Sequence, residues 1–245
     1  MATEERMIAV LRAGEPVLLP TDTVYGLAGN AADPAHVQRV YELKGRVEAQ
    51  PSALMTADVD ALLDCLPELR GGFEKVIRAL LPGPYTLVLP NPAERFRWLA
   101  GGRADAIGVR VPALPLAARR VVAAVTCVVA TSANEPGGAN PASLDDVPER
   151  IRAGCGAELD VGPLPGTPST VLDLTRREPR VLREGVVPAA EALALARAAL
   201  KEHPRRWPSP SRRSRSFAPP GSPTPTRRSP TSSGASSTGS AARSS

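Results

Sequence analysis

"LPTDTVYGLAGNA", residues 19–31, begins inside an apolar run and turns polar within two positions. Pro16 to Pro20, reading PVLLP, has the short, bounded apolar pattern of a fully buried strand. Thr21, Asp22 and Thr23 stand where that strand ends, and Gly26 and Gly29 follow. Small hydroxyl residues after a strand are turn formers first. Strand ends are also where ligands gather in open α/β sheets. The stretch is a turn or a cradle, and the rest of the chain has to decide.

Downstream, DPAHVQRVYELKGR (33–46) opens with Asp at the N-cap and Pro at the first helical position. Val37, Val40, Tyr41 and Lys44 recur at helical spacing, and Lys44 and Arg46 fall at the helix's C-terminal end. A short strand is predicted over 52–56, a short helix over DVDALLDCL, and a helix over 72–81 stopped by Pro82-Gly83-Pro84. Strands follow in YTLVLP, in AIGVRVP (106–112), and, after a helix through PLAARRVVAAV, in CVVATSAN (127–134). AELDVG, STVLDL and RVLREG read as further strands, and PAAEALALARAALKE as a last helix. Strands alternate with helices through two-thirds of the chain and then succeed one another. This predicts an α/β fold: a twisted mixed sheet with flanking helices and a partly antiparallel portion.

The chain has 245 residues, 42% hydrophobic but only 3% aromatic, so its core must be built from Ala, Val and Leu. The formal charge of +5 is unevenly spread: residues 203–245 hold 8 arginines and no acid. Residues 1–202 then carry 22 Lys+Arg against 25 Asp+Glu, a net of −3. The Ser/Pro/Arg-rich segment 203–245 is too poor in aliphatics to offset its ordering entropy and is expected to be a disordered tail. It reads as an RNA-attracting arm through Arg, Trp207 and Phe217, or as a dispensable extension. Residues 1–202 form the predicted folded domain.

No apolar run is long enough for a membrane span. MATEERMIAV carries acids where a signal peptide carries bases, so a cytoplasmic protein with no membrane contact is expected. Cys65, Cys127 and Cys155 form no CxxC pair and read as buried free thiols; no metal site is predicted. With only His36 and His203, a hydrolase triad would rest on His36, which the helix pattern turns toward solvent.

Polar segments follow or interrupt the strands at Thr21-Asp22-Thr23, Pro82–Thr86, Val109–Pro112, Thr131–Asn134 and Pro168–Thr170, with cations at Lys44, Arg46 and Arg183. If they converge, they line one concave, basic cleft suited to an anion such as a nucleotide phosphate. Arg110 stands out, because a lone Arg in a strand of Ile, Gly and Val is costly to bury unpaired. There is no Walker loop and no GxGxxG, and PGGAN (136–140) is a weak signal alone.

Taken in order, LPTDTVYGL, KGR, PGPYTLVLP, GVRVP, TSANEPGG, STVLDL and LREG resemble the YrdC-like family of threonylcarbamoyl-AMP synthases over roughly residues 5–200. The resemblance implies condensation of L-threonine, bicarbonate and ATP to threonylcarbamoyl-AMP and pyrophosphate. A downstream threonylcarbamoyl transferase complex then modifies the adenosine beside the anticodon of tRNA, and a weak tRNA contact belongs to that expectation. It implies that Thr23, Arg110 and Ser169 hold threonine. Lys44, Arg46, Thr86, Ser132, Asn134 and Arg183 would bind ATP, with Lys44 and Arg46 serving catalysis. Magnesium is expected with ATP. On this resemblance the opening stretch is a cradle. The family pattern KxRPxxxPL reads KGRVEAQPS here, with Val47 and Ser52 in place of Pro and Leu. Ala113-Leu114-Pro115 stands where a His before the Pro is common. The competing reading is a non-catalytic RNA-binding or ribosome-maturation module; the tail favours it and the net −3 of residues 1–202 opposes it.

Overall fold

A computed structural model describes residues 3–45 and 50–202. The predicted disordered tail, 203–245, and Arg46 and Val47 lie outside the described residues. In chain order the elements are α1 (Thr3–Arg12), β1 (Val17–Pro20), β2 (Tyr25–Asn30), α2 (Pro34–Lys44), β3 (Ala53–Thr56), α3 (Val59–Cys65) and α4 (Glu74–Leu80). There follow β4 (Tyr85–Pro90), β5 (Ala106–Arg110), α5 (Leu116–Val125), β6 (Cys127–Ser132), α6 (Glu149–Ala153), β7 (Ala157–Glu158), β8 (Thr170–Asp173), β9 (Arg180–Arg183) and α7 (Ala189–Glu202).

Among the described residues nine strands form one sheet in the order β7-β1-β2-β6-β3-β5-β4-β8-β9. The pairs β1/β7, β3/β5 and β4/β8 are parallel; the other neighbours are antiparallel. The predicted mixed α/β sheet is present, with more antiparallel pairing than the alternation of elements suggested. Much of the difference is β2. It returns against β1 as a hairpin, with Pro20 opposite Tyr25, and makes residues 21–24 a hairpin loop.

Side chains alternate across the sheet with period two. Leu18, Leu54, Leu87, Val109, Val129 and Leu172 fall on one face and pack in the larger core cluster. That cluster draws in Val37, Val40 and Tyr41 of α2, Leu62 of α3, Ile77 of α4 and Ala196 of α7. The core is mostly aliphatic, as composition required, but the few aromatics concentrate in it: Tyr25, Tyr41, Phe73, Tyr85 and Phe96 are all buried there. The other face is covered only in part: Met7 and Leu11 of α1 and Val121 and Val122 of α5 pack over Val17, Leu19, Ala28, Met55 and Val128. Beyond them the same face carries Ala53, Thr86, Val88, Gly108, Arg110, Ala130 and Val171, which floor an open cleft.

Local signals explain α2. Asp33 Oδ1 accepts the Ala35 N–H at 2.8 Å, Pro34 pre-sets the first turn, and Gly45 closes the helix in the left-handed region at φ 67°. His36 is half-buried rather than turned to solvent, with its ring against Gly14. Of the predicted buried thiols, Cys65 and Cys127 are buried and Cys155 is half-buried.

Candidate functional site

The hairpin loop is organised by one hydroxyl. Thr21 Oγ1 donates to the Val24 carbonyl at 2.7 Å and accepts the N–H groups of Thr23 and Val24, each at 3.2 Å. This holds Asp22 and Thr23 against Arg110, which arrives from the end of β5. Arg110 Nη2 donates to Asp22 Oδ1 and to Thr23 Oγ1, both at 2.6 Å, and lies 3.4 Å from Thr21 Oγ1. Asp22 Oδ2 also accepts the Ala113 N–H at 3.1 Å. Burial pulls the Arg110 guanidinium down from its ordinary range, and the Asp22 carboxylate holds it up. Its Nε is buried and makes no hydrogen bond. The expected cost of an Arg in this strand is thus offset by an ion pair and hydroxyls, and donor capacity is left over.

A second group forms where β4, β8 and β9 run side by side. Thr86 Oγ1 and Ser169 Oγ are 2.8 Å apart, and Arg183 Nη2 donates to the Ser169 carbonyl at 2.8 Å and reaches its Oγ at 3.3 Å. A third group joins α2 to β6. Lys44 Nζ donates to the Ser132 carbonyl at 2.7 Å, to Asn134 Oδ1 at 2.5 Å, and to the Asn134 carbonyl. Ser132 Oγ donates to Asn134 Oδ1 at 2.6 Å, and Asn134 Nδ2 donates to the Gly138 carbonyl at 2.6 Å.

The three groups open on one cleft of about 720 Å³, a volume that suits a small-molecule site. Lys44, Thr86, Arg110, Ser132, Asn134, Ser169 and Arg183, seven of the nine sequence-predicted residues, all line it. Arg46 lies outside the described residues. Thr23 is fully buried, with its hydroxyl on Arg110, and Thr21 is the threonine of this loop on the cleft wall. Sequence reasoning did not assign Asp22 as the partner of Arg110, nor Thr21 as the organiser of the loop. The Thr-Asp-Thr spacing was visible, but a partner 88 positions away leaves no local signal. Cys155 is pushed up to about 12 by burial and by Glu158, so it does not supply a ready thiolate. Among the described residues no group of three or more His, Cys, Asp and Glu is placed to hold a metal ion. No described helix is long and apolar enough to cross a membrane.

Fold and cleft together define an α/β protein with a concave polar site on the bare half of a mixed sheet, bordered by the buried cations Lys44 and Arg110 and the exposed Arg183. The Sua5–YciO–YrdC family model, which carries the description "Telomere recombination", matches residues 9–185. The chain belongs to this family. It is 36% identical over 182 residues to the threonylcarbamoyl-AMP synthase of Pyrococcus abyssi, covering 74% of this chain and 53% of that protein. With the threonylcarbamoyl-AMP synthase of Halorhodospira halophila it shares 40% identity over 134 residues, 55% of this chain and 69% of the relative. The crystal structure of P. abyssi Sua5 complexed with L-threonine superposes with a TM-score of 0.71 at 33% identity, over 80% of this chain and 58% of that one. Escherichia coli YciO gives a TM-score of 0.65 at 26% identity, over 75% of this chain and 89% of that one. The match spans about half the length of the Pyrococcus abyssi and Bacillus subtilis relatives, 53% and 51%.

Proposed function

We propose that this chain is a threonylcarbamoyl-AMP synthase, condensing L-threonine, bicarbonate and ATP with release of pyrophosphate. The observation that carries the reading is the meeting, in one cleft, of a buried Arg with spare donors and a separate hydroxyl- and amide-lined wall. β6 and β5 have β3 between them. In the ladder register Arg110 lies opposite Met55 and Met55 opposite Val128. Ser132 therefore stands two strand spacings across and four residues along from Arg110, roughly 16 Å, which accommodates an amino acid beside a nucleotide. A relative solved with L-threonine supports the amino acid.

In this reading Arg110 pairs with the threonine carboxylate, with Thr23 fixing the guanidinium and Ser169 contacting the substrate. The threonine amine attacks bicarbonate, water leaves, and a carbamate forms. A carbamate oxygen then attacks the α-phosphorus of ATP; the new O–P bond forms as the bond to the bridging oxygen breaks and pyrophosphate departs. The nucleophile comes from the substrate, so the protein positions the reactants and neutralises charge. Thr86, Ser132, Asn134 and Arg183 take the nucleotide side, and Lys44 and Arg46 add positive charge to it. The described residues do not form a carboxylate cage for magnesium, so that ion would arrive on the ATP phosphates. The product is passed to a transferase complex acting on tRNA, with a weak tRNA contact by this chain.

The test is incubation with ATP, bicarbonate and threonine, followed by pyrophosphate release. Pyrophosphate should appear with all three and not when threonine or bicarbonate is omitted, and ADP should not appear. Equal release without threonine, or none with everything present, refutes the reading.

A further inference from the structure

We propose that Lys44 is a positioning residue: its buried ammonium ties the Ser132–Gly138 loop to the end of α2, and its effect on nucleotide binding passes through that loop. The inference rests on the synthase reading only for the identity of the ligand. A lysine ammonium has three N–H donors. Among the described residues three oxygens accept from it: the Ser132 carbonyl at 2.7 Å, Asn134 Oδ1 at 2.5 Å, and the Asn134 carbonyl. Lys44 is only 5% exposed. A phosphate could bind Nζ only by displacing one of these buried oxygens, which would then lose its partner.

The partners of Lys44 are themselves the hub of the loop. Asn134 Oδ1 also accepts from Ser132 Oγ, and Asn134 Nδ2 fastens the Gly138 carbonyl. Pro136, Gly137 and Gly138, between those fixed points, line the cleft. A second tie exists, with Arg150 Nε and Nη2 donating to Glu135 at 3.1 and 3.0 Å. Both of those side chains are about half exposed, at 53% and 45%, and an exposed ion pair contributes little. Lys44 is the buried anchor. Removing its ammonium takes this donor from two carbonyls, leaves Asn134 Oδ1 with Ser132 Oγ alone, and frees the loop from α2.

Lys44→Met, Asn134→Ala and the double variant test this in the whole chain, with two readouts. Amide hydrogen exchange without nucleotide should accelerate in residues 133–138 in both single variants, while β6 and α2 keep their protection. ATP affinity, titrated calorimetrically without threonine, should fall about ten-fold in each single variant, and the double variant should bind no more weakly than the worse single. L-Threonine affinity should stay within about two-fold of the parent, since the Arg110 group is anchored elsewhere. Unchanged exchange in the loop overturns the proposal. So do losses that multiply in the double variant, because they mean Lys44 touches the phosphates independently of Asn134. If Lys44→Met fails to fold, Asn134→Ala still removes the side-chain half of the tie, and an undisturbed loop there is equally fatal. Should the parent chain bind no ATP, the synthase reading falls, and the exchange measurement alone decides the anchor.

Discussion

Arg110 brings a charge onto a floor otherwise made of Ala, Gly, Val and Thr86, and Asp22 and two threonine hydroxyls surround it there. A charge-assisted hydrogen bond is worth about 1.5–3 kcal/mol. If Arg110 clamps a substrate carboxylate, Arg110→Ala should raise the threonine requirement roughly ten- to a hundred-and-fifty-fold by that figure and leave the ATP requirement nearly unchanged. Steady-state kinetics with each substrate varied in turn check this; equal effects on both would make Arg110 structural. The residue was legible in the sequence because a lone cation inside an apolar strand demands a reason. Its partner was not. Asp22 looked like one polar member of a turn, and only folding brings the hairpin loop to the end of β5.

The hairpin explains most of what the sequence concealed among the elements. β2 reads YGLAGN, with two glycines and an asparagine, residues that weaken strand propensity. Its ladder partners on both sides, β1 and β6, override that propensity. α1 escaped notice because its buried positions are only Met7 and Leu11, too few for a period to show. α6 has five residues and no side-chain cap. AELDVG was expected to be a strand, yet only Ala157 and Glu158 pair, at the sheet's edge. Helices with capping residues and strands with apolar runs were readable, since those signals act within a few positions. Gly185 shows how much a connection can matter to the site. A Cβ there would lie 2.1 Å from the Pro168 carbonyl oxygen and 2.6 Å from that of Ser169. Neither can yield without moving Ser169. Gly185→Ala should therefore cost about 1–3 kcal/mol of stability, as overpacking does, and raise the threonine requirement severalfold. A urea titration and the threonine KM measure the two effects; a parental KM would separate Ser169 from threonine binding.

Among the described residues, both core clusters and the lining of the cleft draw on residues between Met7 and Leu200. A chain ending at Glu202 should consequently melt at the parental temperature and release pyrophosphate at the parental rate. A clear fall in either would assign residues 203–245 a part in stability or delivery. The division of charge at that point was plain in the sequence, as was the α/β class. Which half of the second sheet face stays bare was not. Strand residues under a helix and strand residues flooring a cleft follow the same period of two, so alternation alone cannot separate Val128 from Ala130. Small side chains at Ala53, Gly108 and Ala130 are compatible with either setting, and only the packing of α1 and α5 distinguishes them.

That bare half has a thermodynamic meaning. Layers pack on both faces of β1 and β2, but among the described residues no second layer covers the floor of the cleft, and bound substrates would complete it. Binding free energy is then also folding free energy. At a hundred times Kd a ligand adds about 2.7 kcal/mol to stability, or roughly 5–10 °C in melting temperature for a domain of this size. A thermal scan against rising ATP and threonine should show that climb, and a flat profile would mean the layer is never filled. Unfolded chains are the ones cellular proteases remove. On the proposed function, the abundance of this protein should therefore track the supply of ATP and threonine, so that a cell short of threonine keeps less of it.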